Sequence, residues 1–239
     1  MMNANDWESA NESHSMLDAL RNPAHNRKHQ LLTVAWCRYI PGLIEKAIRR
    51  TVVDTVEMIA DGLVKEEERQ AVLKRFQATI RYRSAPNMFG IAGPPLDMAA
   101  LYAIQTDFGP AYCAGNCLLE IQSMVTLRHE RVTESRDFDG IESSSWQDER
   151  PKYCDFIRDI FGNPFRPVTT DPAWLTWNDG TARKLAQTIY DERRFELLPI
   201  LADALEESGC DNADILTHCR GPGPHVHGCW VVDLLLGKE

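Results

Sequence analysis

The spacing of apolar side chains is the strongest constraint this sequence places on its fold. They recur every three or four positions along nearly the whole chain and alternate in twos over no convincing length. That period puts them on one face of a helix, so the expected fold is all-α, an irregular multi-helix bundle. After Asn26, a plausible N-cap, Leu31, Leu32, Ala35, Trp36 and Tyr39 form one stripe before Pro41 and Gly42 interrupt it. Leu43, Ala47, Val52, Thr55, Val56 and Ile59 form the next, closed by Asp61 and Gly62. A third helix is expected from about Lys65 to near Ser84, ahead of Pro86. Its Val72, Leu73, Phe76 and Ile80 face inward, and Glu66, Glu67 and Glu68 lie in the first turn, where they favour the helix dipole. Two further helices, Leu96 to Thr106 and Ala111 to about Glu130, are separated by Gly109 and Pro110.

Residues 132–149 are polar and aperiodic, which marks a loop or linker between an N-terminal helical region, 1–131, and a C-terminal helical module, 150–239, that can pack with the first as one domain. In the module, Lys152 to Phe161 reads as a short helix closed by Gly162. Asn163 to Asp179, rich in proline and tryptophan, reads as an extended segment between helices. Helices resume at Thr181 to Asp191 and along Phe195, Leu198, Leu201, Ala202 and Leu205, with Pro199 tolerable only in the first turn. Asp211 is placed to cap a turn bearing Ile215 and Leu216. Gly221-Pro222-Gly223-Pro224 then breaks the chain before a last helix near Val226 to Leu236.

With 239 residues, 44% of them hydrophobic, the chain can bury a core without disulfides or metals. No apolar run approaches the roughly 20 residues a bilayer crossing needs. Met1 to Ser15 lacks the basic-then-apolar pattern of a secretory signal, so a cytoplasmic location is expected. The seven cysteines, odd in number and irregularly spaced, are expected to be buried thiols without a structural disulfide. The net charge of −9 is uneven: residues 141–239 hold 10 basic and 17 acidic groups, whereas residues 1–140 hold 16 and 18. An acidic half of this kind repels phosphates, which argues against nucleic acid and against anionic membranes as partners. The basic strip Lys74, Arg75, Arg81 and Arg83 reads as a solvated helix face.

The densest chemical cluster is His218, Cys219, His225, His227 and Cys229. Zinc takes about four nitrogen or sulfur ligands in a tetrahedron, and Cys219, His225, His227 and Cys229 are the candidate set, although their spacing matches no standard finger. The competing reading makes both thiols core contacts. Cys113 and Cys117, four apart on one helix face, have one residue too many between them for a CxxC pair. His25 and His29 lack the glutamate that a zinc-protease helix places after its first histidine, since that position is Asn26. Acid pairs such as Asp155 with Asp159 are assigned to exposed helix faces, where nothing raises a carboxyl pKa enough for acid catalysis. There is no G-x-S-x-G elbow, no phosphate-binding Gly-Lys-Ser or Gly-Lys-Thr loop, and no dinucleotide fingerprint.

The Trp7, Met16-Leu17, Arg27-Lys28, Leu31, Val34-Ala35 and Cys37-Arg38 pattern resembles the opening of a family of helical planctomycete proteins. The stretches Ile160 to Pro167, Asp171 to Leu175, Ile189 to Arg193, the Leu198-Pro199 to Cys210 helix and Gly228 to Lys238 are similar to the closing module of the same family. Residues from about 80 to 150 take no part in the resemblance. It implies a helical protein, carries over no catalytic residue, and implies a basic residue rather than histidine at position 227. The expectation is a non-catalytic cytoplasmic helical protein that binds another protein, with Phe165, Arg166, Trp174 and Trp177 as its candidate contact residues, because rigidly held tryptophan and arginine dominate interface energetics; the competing and favoured reading of that segment has it fill the seam between helical layers, with Arg166 satisfying carbonyls at a helix end. No cofactor is expected on that reading. The alternatives are a metal-dependent enzyme or zinc-stabilised module built on the Cys/His cluster, and an acidic antitoxin or immunity protein masking a basic partner.

Overall fold

The computed structural model describes residues 2–21, 26–40, 43–80, 95–105, 109–134 and 145–238. Among these residues there are twelve α-helices, a single 3-10 turn at Phe195–Leu197 and no strand, so the chain is all-α. In order the helices are α1 (Ala4–Ser9), α2 (Ser13–Ala19), α3 (Asn26–Tyr39), α4 (Ala47–Ala60), α5 (Glu66–Gln77) and α6 (Pro95–Ile104). They continue with α7 (Pro110–Glu134), α8 (Trp146–Phe161), α9 (Pro172–Glu192), α10 (Leu198–Glu207), α11 (Ala213–Arg220) and α12 (Trp230–Leu236). None is long and apolar enough to cross a membrane. Two compact units result: Asn11–Tyr153, and a second made of Cys154–Glu239 together with Met1–Ala10.

In the Asn11–Tyr153 unit, α3 packs on α4, α6 and α7, and its Leu31, Leu32 and Trp36 are fully enclosed. The stripe of α4 is buried at Val52, Val53 and Val56, and that of α5 at Leu73 and Phe76. Two buried arginines are satisfied where they lie. Arg49 pairs with Asp97 at 3.0 Å and donates to the Leu43 carbonyl at 3.0 Å, while Arg69 donates to Glu66 at 2.7 Å and to the Ile104 carbonyl at 3.0 Å. Lys74 and Arg75 are exposed, as a solvated face requires; Arg81 and Arg83 lie outside the described residues. Cys113 and Cys117 are buried on α7, and Cys117 Sγ is 4.0 Å from Cys37 Sγ. All seven cysteines are buried and none is in a disulfide. His29 is buried, and His25 lies outside the described residues.

Several helix ends differ from the expectation. α4 starts at Ala47 rather than Leu43, and α5 closes at Gln77, well before Ser84, which lies outside the described residues. α8 begins six residues before Lys152. Its start is fixed by Asp148, whose carboxylate accepts the Ser145 N–H at 3.0 Å and the Ser145 hydroxyl at 2.8 Å. Of the stretch 132–149, residues 135–144 lie outside the description.

The second unit is built on α9 to α12. α9 packs on α10 and α12, and α11 touches α10 and α12. The core between them consists of Ile189, Leu198, Leu201, Leu205, Ile215, Val231 and Leu235 with Cys210, Cys219 and Cys229. α9 starts inside the segment expected to be extended: Asp171 caps it by accepting the Ala173 N–H at 2.8 Å, and Pro172 occupies the first turn, where its missing N–H costs nothing. The helix then breaks. Trp177 is extended, Asn178, Asp179 and Gly180 take positive φ, and helical geometry resumes after them. Met1–Ala10 is fastened to this unit. Trp7 is completely buried against Phe165, ring centroids 6.2 Å apart, and the Arg158 guanidinium donates to the Trp7 and Ala10 carbonyls.

Candidate metal centre

Three stretches of the second unit deliver metal-binding side chains to one point. α8 buries Phe156, Ile157, Ile160 and Phe161, and Asp159 stands beside Phe156 at the margin of that arc, only 2% exposed. On α11, Asn212 caps the helix by accepting the Ile215 N–H at 3.1 Å, and Ile215 and Cys219, four residues apart, point into the core. His218 is therefore rotated about 100° off the core face, and its Nε2 lies 3.3 Å from Asp159 Oδ1. Between α11 and α12 the chain turns through Gly223 at φ +86°. A Cβ at that position would lie 2.7 Å from the His225 backbone nitrogen and 3.1 Å from its ring, so only glycine leaves His225 where it is. Cys229 is the residue from which α12 starts.

The donor atoms of Asp159, His218, His225 and Cys229 all lie within 4.8 Å of one another. His218 Nε2 is 3.1 Å from Cys229 Sγ, and His225 Nδ1 is 2.8 Å from Asp159 Oδ1. With zinc–nitrogen bonds of about 2.0–2.1 Å and zinc–sulfur bonds of about 2.3 Å, a tetrahedral site needs donors roughly 3.3–3.6 Å apart. Three of the separations, 3.1, 2.8 and 3.3 Å, are within about half an ångström of that range, and the whole set is bounded by 4.8 Å. Groups around the donors hold them in register. Asp159 Oδ2 accepts the Val226 N–H at 2.9 Å, which leaves Oδ1 as the inward oxygen. His225 Nε2 is 3.2 Å from the Gly221 carbonyl, an acceptor only, so Nε2 carries the hydrogen and Nδ1 faces Asp159. The ring of Trp230, centroid 5.4 Å from that of His218, closes the wall and approaches Gly162 so tightly that a Cβ there would be 3.1 Å from the indole.

The same four residues do not form a nucleophilic relay. In a cysteine–histidine–carboxylate arrangement the two ring nitrogens divide the work, one toward the thiol and the other toward the acid. Here a single nitrogen, His218 Nε2, faces both Cys229 Sγ and Asp159 Oδ1. One N–H cannot pass a proton between groups on its own side of the ring. Convergence on one point is an arrangement that could hold a cation. The 2.8 Å contact of His225 Nδ1 with a carboxylate oxygen needs positive charge between the two atoms, which a ring proton supplies as well as a metal ion would.

Without an ion, a proton serves. Burial works against a charged His225 ring, but the hydrogen bond and charge of Asp159, with the Gly221 carbonyl, outweigh it and raise the pKa. Burial, and then the charge of Asp159, push the Cys229 thiol well above its usual range, while the backbone N–H groups of Val232 and Val231 pull it back. A coordinated dication would reverse the balance and hold the sulfur as thiolate.

Of the four sequence-derived ligands, His225 and Cys229 belong to this group, whereas Cys219 and His227 stand outside it. Cys219 is fully buried in the core, where burial first and Asp159 second push its thiol up to about 12. His227 stacks on Tyr190 with centroids 4.2 Å apart. His218 and Asp159 take the two places. The exposed-face reading of the Asp155 and Asp159 pair fails for Asp159, which is enclosed; Asp155 pairs with Arg158 at 2.9 Å. The residues read as partner contacts lie elsewhere. Phe165 is 38% exposed over Trp7, Arg166 pairs with Glu8 at 2.7 Å and Asp214 at 3.5 Å, Trp174 is in the core, and Trp177 sits at the break in α9. No family model, curated protein or solved structure matches this chain.

Proposed function

We propose that the protein binds one divalent transition-metal ion through Asp159, His218, His225 and Cys229, and that its second unit is a metal-stabilised helical module. The observation that supports this reading is the convergence of four chemically suitable donors from α8, α11, the 221–228 connection and the start of α12 within 4.8 Å. Asp159 and His225 are 66 residues apart in sequence, so the site exists only in the folded chain, and an ion binding there stabilises the fold by its own binding free energy. A metal bound at a thousand times its dissociation constant contributes about 4 kcal/mol. Elemental analysis of protein purified without chelator should find close to one equivalent, and chelation should lower the melting temperature. Less than about a tenth of an equivalent would sink the proposal, because a structural site stays nearly full.

A further inference from the structure

We infer that this centre is a closed, four-coordinate zinc site of two imidazole nitrogens, one carboxylate oxygen and one thiolate, with no position for water or substrate. The inference rests on the metal-binding reading above and goes beyond it in specifying the ion, the thiolate ligand and the absence of an exchangeable position. A catalytic zinc keeps three protein ligands and an open fourth place, whereas a structural zinc has four protein ligands. Here four are present. Cys229 is fully buried and Asp159 is 2% exposed; the side chains of His225 and His218 are 11% and 16% exposed.

The outer groups argue the same way. The spare oxygen of Asp159 is occupied by the Val226 N–H, so the carboxylate is held to one bond through Oδ1 rather than two. His225 is locked to its Nδ1 by the Gly221 carbonyl. The Trp230 ring packs against that of His218, centroids 5.4 Å apart. A donor set with two imidazoles and a sulfur is too soft for magnesium or calcium, which take oxygen ligands in sixes to eights, and four donors of this kind suit zinc.

Cobalt(II) reads out all of this in the full chain, because it adopts the zinc geometry and is coloured. Protein stripped of metal and loaded with cobalt is expected to show the intense visible bands of four-coordinate cobalt and a near-ultraviolet thiolate-to-cobalt charge-transfer band. Added azide, which occupies any open position, should leave the visible bands unmoved. Cys219→Ser should retain the charge-transfer band, and Cys229→Ser should lose it. Stoichiometric cobalt with the weak bands of six-coordination, or bands that shift with azide, would overturn the closed site while leaving metal binding intact. A charge-transfer band lost in Cys219→Ser and kept in Cys229→Ser would overturn the ligand assignment. Failure to take up cobalt at all would overturn the metal-binding reading itself. Because the azide titration uses the unsubstituted chain, it decides the question even if Cys229→Ser does not fold.

Discussion

His218 and Cys219 are neighbours in the chain and opposites in role. Helical geometry turns consecutive side chains by about 100°, so once Ile215 is assigned to the core, Cys219 four residues on must follow it and His218 must not. That argument was available in the sequence and would have exchanged one proposed ligand for another. His225 and Cys229 were legible from local spacing alone. Asp159 was not: its partners are 66 and 59 or more positions away, and its place at the edge of an apolar arc becomes a buried place only when the 221–228 connection lies over it. Residue detail also yields a sharp test. Gly223→Ala puts a methyl group 2.7 Å from the His225 backbone in a region of φ that L residues avoid, so the loop must shift and carry His225 with it. Zinc affinity is expected to fall about ten- to a hundredfold, as when a group orienting a ligand is removed. Competition with a chromophoric chelator measures it; affinity equal to the parent chain would show that the loop positions nothing.

Helices were the best-read scale, because a period of 3.6 survives ignorance of everything else. Their ends were read less well, since caps depend on which side chain turns back toward the backbone. Asp211 was the expected cap of α11, yet Asn212 does the capping. The break in α9 was hidden for a related reason: Asn178, Asp179 and Gly180 favour positive φ, but nothing in the sequence says that helix continues on both sides of them. The cap of α11 matters to the site because His218 projects from the last turn of this eight-residue helix. Asn212→Ala leaves the Ile215 N–H without its acceptor and should destabilise the protein by about 1 kcal/mol. The loss should be visible in a denaturant midpoint and should be accompanied by weaker metal binding. A lower midpoint with unchanged affinity would mean that α11 is held by packing alone.

At the scale of the whole molecule, the least legible feature is that Met1–Ala10 belongs to the unit formed by residues after 153. Composition marked a soft boundary near residues 132–149, but no local signal could announce that the first ten residues join the far end of the chain. Trp7 supplies the physical reason. It is completely buried, and the Arg158 guanidinium holds its carbonyl from 151 positions away. Trp7→Ala should cost about 3–5 kcal/mol. Hydrogen exchange should locate that loss in residues 154–238 rather than in α3 and α4; faster exchange confined to α3 and α4 would contradict the assignment.

Trp7 also sets an order of events that the finished fold conceals. On a ribosome adding about 5–20 residues per second, α1 emerges roughly 8–30 s before the helix that receives it. Throughout that interval a large indole waits in solvent with no native surface to cover it. The first helix thus cannot reach its native place until α8 and Phe165 have been made, and a chaperone that shields Trp7 while translation proceeds would raise the yield of native protein without touching its stability.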